Sequence, residues 1–246
     1  MNHCIIIPTY NNATTLSDVV SRALSVCRHV MVVNDGSTDN TLDILQPFRD
    51  AIHLVTYTPN RGKGYALRRG FLQARSLGYD TAVTLDADGQ HRPEEVDKLL
   101  AAAQNNGAAE RRTLVVGSRN LYADGMPSAN TFANRFSNFW FRLQTGIRLP
   151  DTQTGFRLYP LTNLPCLAMI TRRYESELEL LVFSAWKGLH LVPVPVSVSY
   201  PDDRVSHFRP FADFFRISLL NTCLCFLAVV YGYPRMLLNK MKGGRR

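Results

Sequence analysis

The sequence predicts an α/β fold: a doubly wound, mostly parallel sheet flanked by helices, with a C-terminal membrane-associated helical segment. Three observations predict it. Five short apolar runs recur through the first 116 residues, separated by stretches with helical spacing. Loops of Asp, Asn, Gly, Ser and Thr close these runs, as they close the strands of such sheets. The excess positive charge is confined to the end of the chain, around a long uncharged apolar stretch.

The elements follow in order. Residues 4–7, Cys-Ile-Ile-Ile, form a buried strand stopped by Pro8. Thr15 is placed to N-cap a helix with Asp18 three residues on, and Leu16, Val19, Val20, Ala23 and Leu24 make its apolar face. Residues 30–33 are the second strand, followed by Asn34-Asp35-Gly36-Ser37-Thr38-Asp39 and a helix over 41–48. A third strand covers 52–55, a helix 64–76, and a fourth strand 82–85 leads into Asp86-Ala87-Asp88. Pro93 opens the next helix where its missing N–H costs nothing, with Glu94 and Glu95 in the first turn. Residues 114–116 are the fifth strand. Sheets of this kind bind ligands at the carboxyl ends of their strands. Here those ends carry Pro8-Thr9-Tyr10, Asp35-Gly36-Ser37, Asp86-Ala87-Asp88 and Gly117-Ser118-Arg119.

Composition removes several alternatives. With 246 residues and 46% hydrophobic content the chain buries a sizeable core, which excludes a disordered or collagen-like protein. The five cysteines, at 4, 27, 166, 223 and 225, contain no C-x-x-C pair, so neither a disulfide framework nor a zinc ribbon is expected. The N-terminus lacks the basic region of an export signal, and a cytoplasmic location is expected. The net charge of +8 divides unevenly: residues 1–203 hold 20 basic and 19 acidic groups, whereas 204–246 hold eight basic groups and only Asp213 as an acid. That split excludes a nucleic-acid-binding body and gives a near-neutral domain, residues 1–210, followed by a basic, apolar segment, residues 211–246. Residues 217–234 are uncharged but include Asn221, Thr222, Gly232 and Pro234, which fits either a buried core helix or an interfacial one. The five cations from Arg235 onward favour the cytoplasmic face of a membrane, where anionic lipid attracts each by about 1 kcal/mol.

The chemistry is concentrated in the strand-end loops. In an extended turn Asp86 and Asp88 point the same way, and two close carboxylates repel unless a cation sits beside them. Hard oxygen donors, with Gln90 just beyond, favour Mg²⁺ or Mn²⁺, which in turn bridge phosphates. Asp35 can accept from a base N–H or a ribose hydroxyl, and Gly36 permits close backbone approach. Asn60-Arg61-Gly62-Lys63-Gly64 fails the dinucleotide fingerprint because Leu67 stands at the third glycine position, and it is not a Walker loop.

In this order the pieces resemble the family 2 glycosyltransferases of GT-A fold. The matching stretches are Ile6-Ile7-Pro8-Thr9-Tyr10-Asn11, Val32-Val33-Asn34-Asp35-Gly36-Ser37, Asn60-Arg61-Gly62-Lys63-Gly64, Leu85-Asp86-Ala87-Asp88-Gly89-Gln90-His91, Gly117-Ser118-Arg119 and Asp151-Thr152-Gln153-Thr154-Gly155-Phe156-Arg157. Within that family the chain is most similar to the polyprenyl-phosphate (dolichyl-phosphate) sugar transferases, through the Gly-Phe-Arg loop, Glu175 and Glu177, and Arg204-x-Ser206. The resemblance implies that Pro8, Thr9, Tyr10 and Asp35, with Gly36, Ser37, Lys63 and Ala87, serve the nucleotide-sugar. It implies that Asp86, Asp88 and Gln90 hold the metal and diphosphate, and that Arg119, Arg157 and Arg204 meet the acceptor or the departing phosphates. Three positions depart from the family pattern: Asn12 for the usual Glu, Asn34 for the usual first Asp, and His207 for the usual Lys.

The expected reaction is an inverting, metal-dependent transfer from a nucleotide-diphosphate sugar to a lipid-linked acceptor at the membrane surface. A phosphate acceptor is already an anion and needs cations, for which Arg119, Arg157 and Arg204 qualify. A hydroxyl acceptor needs a base, for which the resemblance points to Asp151, with Glu175 and Glu177 next. A nucleotidyltransferase, releasing pyrophosphate, and a non-catalytic nucleotide-sugar-binding module remain as alternatives.

Overall fold

In the computed structural model the described residues are 2–106, 112–120, 128–165, 171–199 and 210–243. The seven strands β1 (His3–Thr9), β2 (Val30–Asp35), β3 (Ile52–Tyr57), β4 (Thr81–Thr84), β5 (Thr113–Arg119), β6 (Arg157–Pro160) and β7 (His190–Val196) form one sheet. Their order is β3-β2-β1-β4-β6-β5-β7. Every pairing is parallel except those of β6, which runs antiparallel to β4 and β5. The helices are α1 (Ala13–Val26), α2 (Thr41–Leu45), α3 (Lys63–Ser76), α4 (Val96–Gln104), α5 (Ser128–Thr145), α6 (Glu175–Lys187), α7 (Pro210–Leu227) and α8 (Tyr233–Gly243).

Strand alternation sorts the core into two layers. Ile5 and Ile7 of β1 face the α1 and α4 side, whereas Cys4 and Ile6 face α3 and α6. Burial on both faces is why the central strands read as unbroken apolar runs. β2 lies on one side of β1 and β4 on the other, so the chain reverses direction across the sheet there and leaves a crevice at the strands' carboxyl ends.

Four details differ from expectation. Asn12, not Thr15, occupies the N-cap of α1; Thr15 lies inside the helix and its hydroxyl donates to the Ala87 carbonyl at 2.6 Å. The helix after Asp39 stops at Leu45 and tightens into a 3₁₀ turn, Gln46–Phe48, at Pro47. β6 and β7 were not signalled by periodicity. β6 has four residues and buries an arginine, while β7 carries Pro193 and Pro195. Prolines two apart present their missing N–H to the same side, which a strand at the sheet's edge tolerates.

The C-terminal helices α7 and α8 are joined by a π-helical turn, Ala228–Gly232, and both pack along α6. Their inner face explains two of the residues that interrupt the apolar run, Asn221 and Gly232. Gln144 of α5 donates to the Asn221 side chain at 2.9 Å, and the Trp186 indole donates to the Gln144 carbonyl at 2.9 Å. Gly232 lies against the Trp186 ring so closely that a Cβ would come within 2.4 Å of it. Leu224 and Ala228 join the core layer that contains Trp186, while Phe226, Val229, Leu237 and Met241 point outward. The helix is therefore core on one side and apolar surface on the other. By length and composition Phe215–Met241, with mean hydropathy 1.6, is long and apolar enough to cross a membrane.

Candidate functional site

The carboxyl ends of β1 to β5 open into a cleft of about 520 Å³, within the usual range for a ligand site. Pro8, Thr9 and Tyr10 follow β1, Asp35 ends β2, and Asn60, Gly62 and Lys63 follow β3. Asp86, Ala87, Asp88 and Gln90 follow β4, and Arg119 ends β5. Parallel strands put all these ends on one side, so residues far apart in sequence meet. The beginning of α6 closes the wall with Arg173, Tyr174 and Glu177.

The acidic loop after β4 is the part of the cleft that could hold a cation. Gln90 donates to both oxygens of Asp88, from its backbone N–H at 3.1 Å and its side chain at 2.6 Å. Gly155 backs onto Asp86; a Cβ there would come 2.5 Å from its Oδ2. The Thr84 hydroxyl fixes that glycine by donating to its carbonyl at 2.6 Å. Burial and the neighbouring Asp86 carboxylate push the Asp88 carboxyl above its usual range. Burial opposes the charge on Asp86 too, but the Lys63 ammonium overcomes it and holds that carboxyl low. Two crowded carboxylates plus an amide oxygen fit a hard divalent ion. Lys63 supplies a single positive charge beside them, bridging Asp86 at 2.6 Å and Glu177 at 2.8 Å. Its ammonium is disfavoured by burial, yet these two carboxylates hold its pKa above the ordinary value.

Asp35 is buried and anchors the loop after β3. Its oxygens accept from the backbone N–H groups of Arg61 and Gly62, each at 2.7 Å, and from the Asn60 amide at 3.0 Å. Gly36 and Ser37 lie behind the wall rather than in it. Gly36 has φ of +69° and sits where a Cβ would approach Asn60 N to 2.7 Å, so it serves the turn. The Ser37 hydroxyl accepts from Asn11 N–H at 3.0 Å and shapes the loop after β1.

Two expectations are corrected. Asp151 does not face the cleft. It is 0% exposed, and its carboxylate accepts from Arg119 Nε at 2.6 Å and Nη2 at 3.0 Å, from Asn134 at 2.5 Å and from the Gln153 N–H at 3.0 Å. Burial opposes its charge, but the Arg119 hydrogen bonds prevail and keep the carboxyl below its ordinary value. A saturated, buried anion is a poor proton acceptor, and in this structure it fixes the Arg119 guanidinium. Arg157 is also 0% exposed and absent from the cleft wall. Its guanidinium donates to the carbonyls of Glu177 and Thr152, each at 2.8 Å, so it joins α6 to the loop before β6. Glu175 is buried outside the cleft wall. Arg204, Ser206 and His207 lie outside the described residues.

Arg173 was not singled out by any motif, since no local spacing distinguishes the Arg172-Arg173 pair. The cations lining the cleft are Lys63, Arg119 and Arg173. The first two are committed to carboxylates; among the described residues the Arg173 guanidinium has no ion pair, and the nearby Asp35 feels its charge.

Known proteins share this framework. The structure of glucosyl-3-phosphoglycerate synthase from Mycobacterium tuberculosis, determined with Mn²⁺, uridine diphosphate and glucosyl-3-phosphoglycerate, superimposes with a TM-score of 0.65 at 18% identity, covering 92% of this chain and 79% of that one. It establishes the GT-A architecture. Polyprenol monophosphomannose synthase of Mycolicibacterium smegmatis is 32% identical over 209 residues, spanning 78% of this chain and 76% of the relative. UDP-N-acetylglucosamine–dolichyl-phosphate N-acetylglucosaminyltransferase of Methanococcus voltae is 28% identical over 219 residues, 80% of this chain and 86% of the relative. The family model for glycosyl transferase family 2 matches residues 4–162, the stretch that supplies all the strands but β7 and the acidic loop. On these grounds the chain belongs to glycosyl transferase family 2 and is a glycosyltransferase.

Proposed function

We propose that the protein transfers a sugar, with inversion, from a nucleoside-diphosphate sugar to a polyprenyl phosphate at a membrane surface, using Mg²⁺ or Mn²⁺. One observation carries the choice of acceptor. The carboxylates that line the cleft are Asp35, Asp86, Asp88 and Glu177, and each is already engaged. Asp35 holds the loop after β3, Asp88 is bound by Gln90, and Asp86 and Glu177 share Lys63. Among the described residues every carboxylate lining the cleft has a hydrogen bond or ion pair on at least one oxygen, so the acceptor best served is one that arrives as an anion. The names of the two relatives, both polyprenol- or dolichyl-phosphate enzymes, agree with this.

In this reading Pro8, Thr9, Tyr10 and Asp35 hold the base and ribose, and Asp86, Asp88 and Gln90 hold the cation. When bound, the divalent ion offsets the charge that develops on the leaving diphosphate. Lys63 and Arg173 face the donor phosphates, and Arg119, aimed by Asp151, faces the incoming phosphate. Holding donor and acceptor in line for back-side attack supplies the orientation term. Arg204 is proposed for the acceptor by family resemblance alone.

The test is a panel of nucleoside-diphosphate sugars with Mn²⁺, scored by nucleoside diphosphate release with a short polyprenyl phosphate and with its free alcohol. Release with the phosphate alone is expected; release with only the alcohol overturns the acceptor assignment. In the same assay Arg173→Met should raise the donor KM about tenfold or more while leaving kcat nearly unchanged, the loss of one charged hydrogen bond. An unchanged donor KM removes Arg173 from the site.

Residues 1–210 are proposed as the catalytic domain and 211–246 as the segment that meets the membrane. The outward face of α7, α8 and the turn between them presents Phe226, Val229, Val230, Leu237 and Met241, and α5 adds Phe139 and Leu143. Both helices run along α6, so this face is expected to lie in the lipid interface rather than cross it. Deleting the segment would strip Leu224 and Ala228 from the core, so a cleaner test substitutes the outer face. The pair Val230→Glu and Leu237→Glu should weaken binding to anionic vesicles by about tenfold or more, with circular dichroism unchanged. Equal binding of variant and parent would remove this face from the membrane.

A further inference from the structure

We propose that Lys63 is a built-in occupant of the cation site and that Glu177 is where its ammonium goes when a divalent ion takes Asp86. The inference rests on the metal reading above and adds an exchange between this chain's own charges. Lys63 Nζ lies 2.6 Å from Asp86 Oδ1 and 2.8 Å from Glu177 Oε2. It therefore neutralises the same carboxylate that the acidic loop offers to a metal. Glu177 keeps a second oxygen in reserve: Oε1 is buried and has no hydrogen-bond partner. Its backbone is anchored, since Arg157 donates to the Glu177 carbonyl at 2.8 Å.

The charges dictate the exchange. A divalent ion at Asp86 repels the ammonium, and an unpaired buried ammonium is costly. Glu177, already in contact, lets Lys63 move off Asp86 without losing its counter-charge, by shifting onto both of its oxygens. The ammonium then remains in the cleft as a cation available to donor phosphates. Without Lys63 the empty site would hold crowded carboxylates with no positive charge between them. Glu177 is thus a positioning residue acting through Lys63.

Mn²⁺ affinity, measured by titration calorimetry without nucleotide, reads this directly. Lys63→Met removes the competitor and should tighten Mn²⁺ about tenfold or more, whereas Glu177→Gln strands the displaced ammonium and should weaken it about tenfold. A general field effect predicts the same two signs, so the double variant decides. If Glu177 acts through Lys63, adding Glu177→Gln to Lys63→Met changes Mn²⁺ affinity by less than about threefold. An equal effect of Glu177→Gln in both backgrounds, or weaker Mn²⁺ binding in Lys63→Met, overturns the exchange. Should Lys63→Met not fold, the Lys63 ammonium resonance of the unmodified protein, followed by NMR during Mg²⁺ titration, gives the answer. A resonance that shifts at the binding midpoint supports displacement, and one that does not move refutes it. Failure of the unmodified protein to bind Mn²⁺ even with UDP or GDP would instead overturn the metal reading, a result distinct from additivity in the cycle.

Discussion

Asp88→Ala should reduce sugar transfer by about 10³-fold or more while the protein remains folded. The size follows from the several kcal/mol that a bound cation contributes to stabilising a leaving diphosphate, with each 1.36 kcal/mol worth about tenfold. Retention of the fold follows from the electrostatics of the loop. Burial and the Asp86 carboxylate both push Asp88 toward its neutral form, so removing its charge relieves repulsion. What is lost structurally is its pair of contacts with Gln90. Urea denaturation should place variant and parent within about 1 kcal/mol. Near-normal release of nucleoside diphosphate by the variant would sink the assignment of this loop to the metal.

Asp151→Asn should show the opposite pattern, a large loss of stability with a modest loss of turnover per folded molecule. Breaking a buried ion pair leaves the partner charge uncompensated and typically costs about 3–5 kcal/mol. Here that partner is Arg119, held at 2.6 Å and 3.0 Å. The pH dependence has a definite sign. The carboxyl of Asp151 lies below its ordinary value in the folded protein, so its contribution is fully present above the unfolded-state value and is lost as pH falls through the folded one. The stability gap between parent and variant should therefore narrow in acid, as followed by urea midpoints across a pH series. A general base would behave differently, its removal costing about 10²–10⁴ in rate. If the variant keeps its stability and loses that much rate, Asp151 acts on the acceptor.

The contrast between these two aspartates reflects what a linear sequence can carry. That Asp86, Asp88 and Gln90 line the cleft was legible because their spacing and position after an apolar strand are local properties, and a strand end in a parallel sheet points at the ligand side. Asp151 and Arg157 sit in a motif that is equally clear, Asp-Thr-Gln-Thr-Gly-Phe-Arg, yet both turn inward. Their partners outside the motif, Arg119 and Asn134 for one and the Glu177 carbonyl for the other, come from different elements. A motif announces that a residue type is needed; it does not say whether a ligand or a neighbouring loop needs it. Thr15 makes the same point in miniature: a hydroxyl suited to a helix cap instead ties α1 to the Ala87 carbonyl beneath the acidic loop.

The C-terminal helix shows the reverse case. Asn221 and Gly232 looked like flaws in an apolar stretch, and each is a packing device against α5 or α6. What the sequence by itself determined was the α/β class, the central strands, the ligand side of the sheet and the acidic loop. All of these are written in short-range periodicity and in the residues that close each strand. Only the tertiary structure decided which charges remain for a ligand. It neutralised Arg119 with Asp151, gave Lys63 to Asp86 and Glu177, buried Arg157 and left Arg173 without an ion pair among the described residues. The reason is physical: hydrophobic patterning acts along the chain, whereas charges pair across space with whatever the fold brings within a few ångströms.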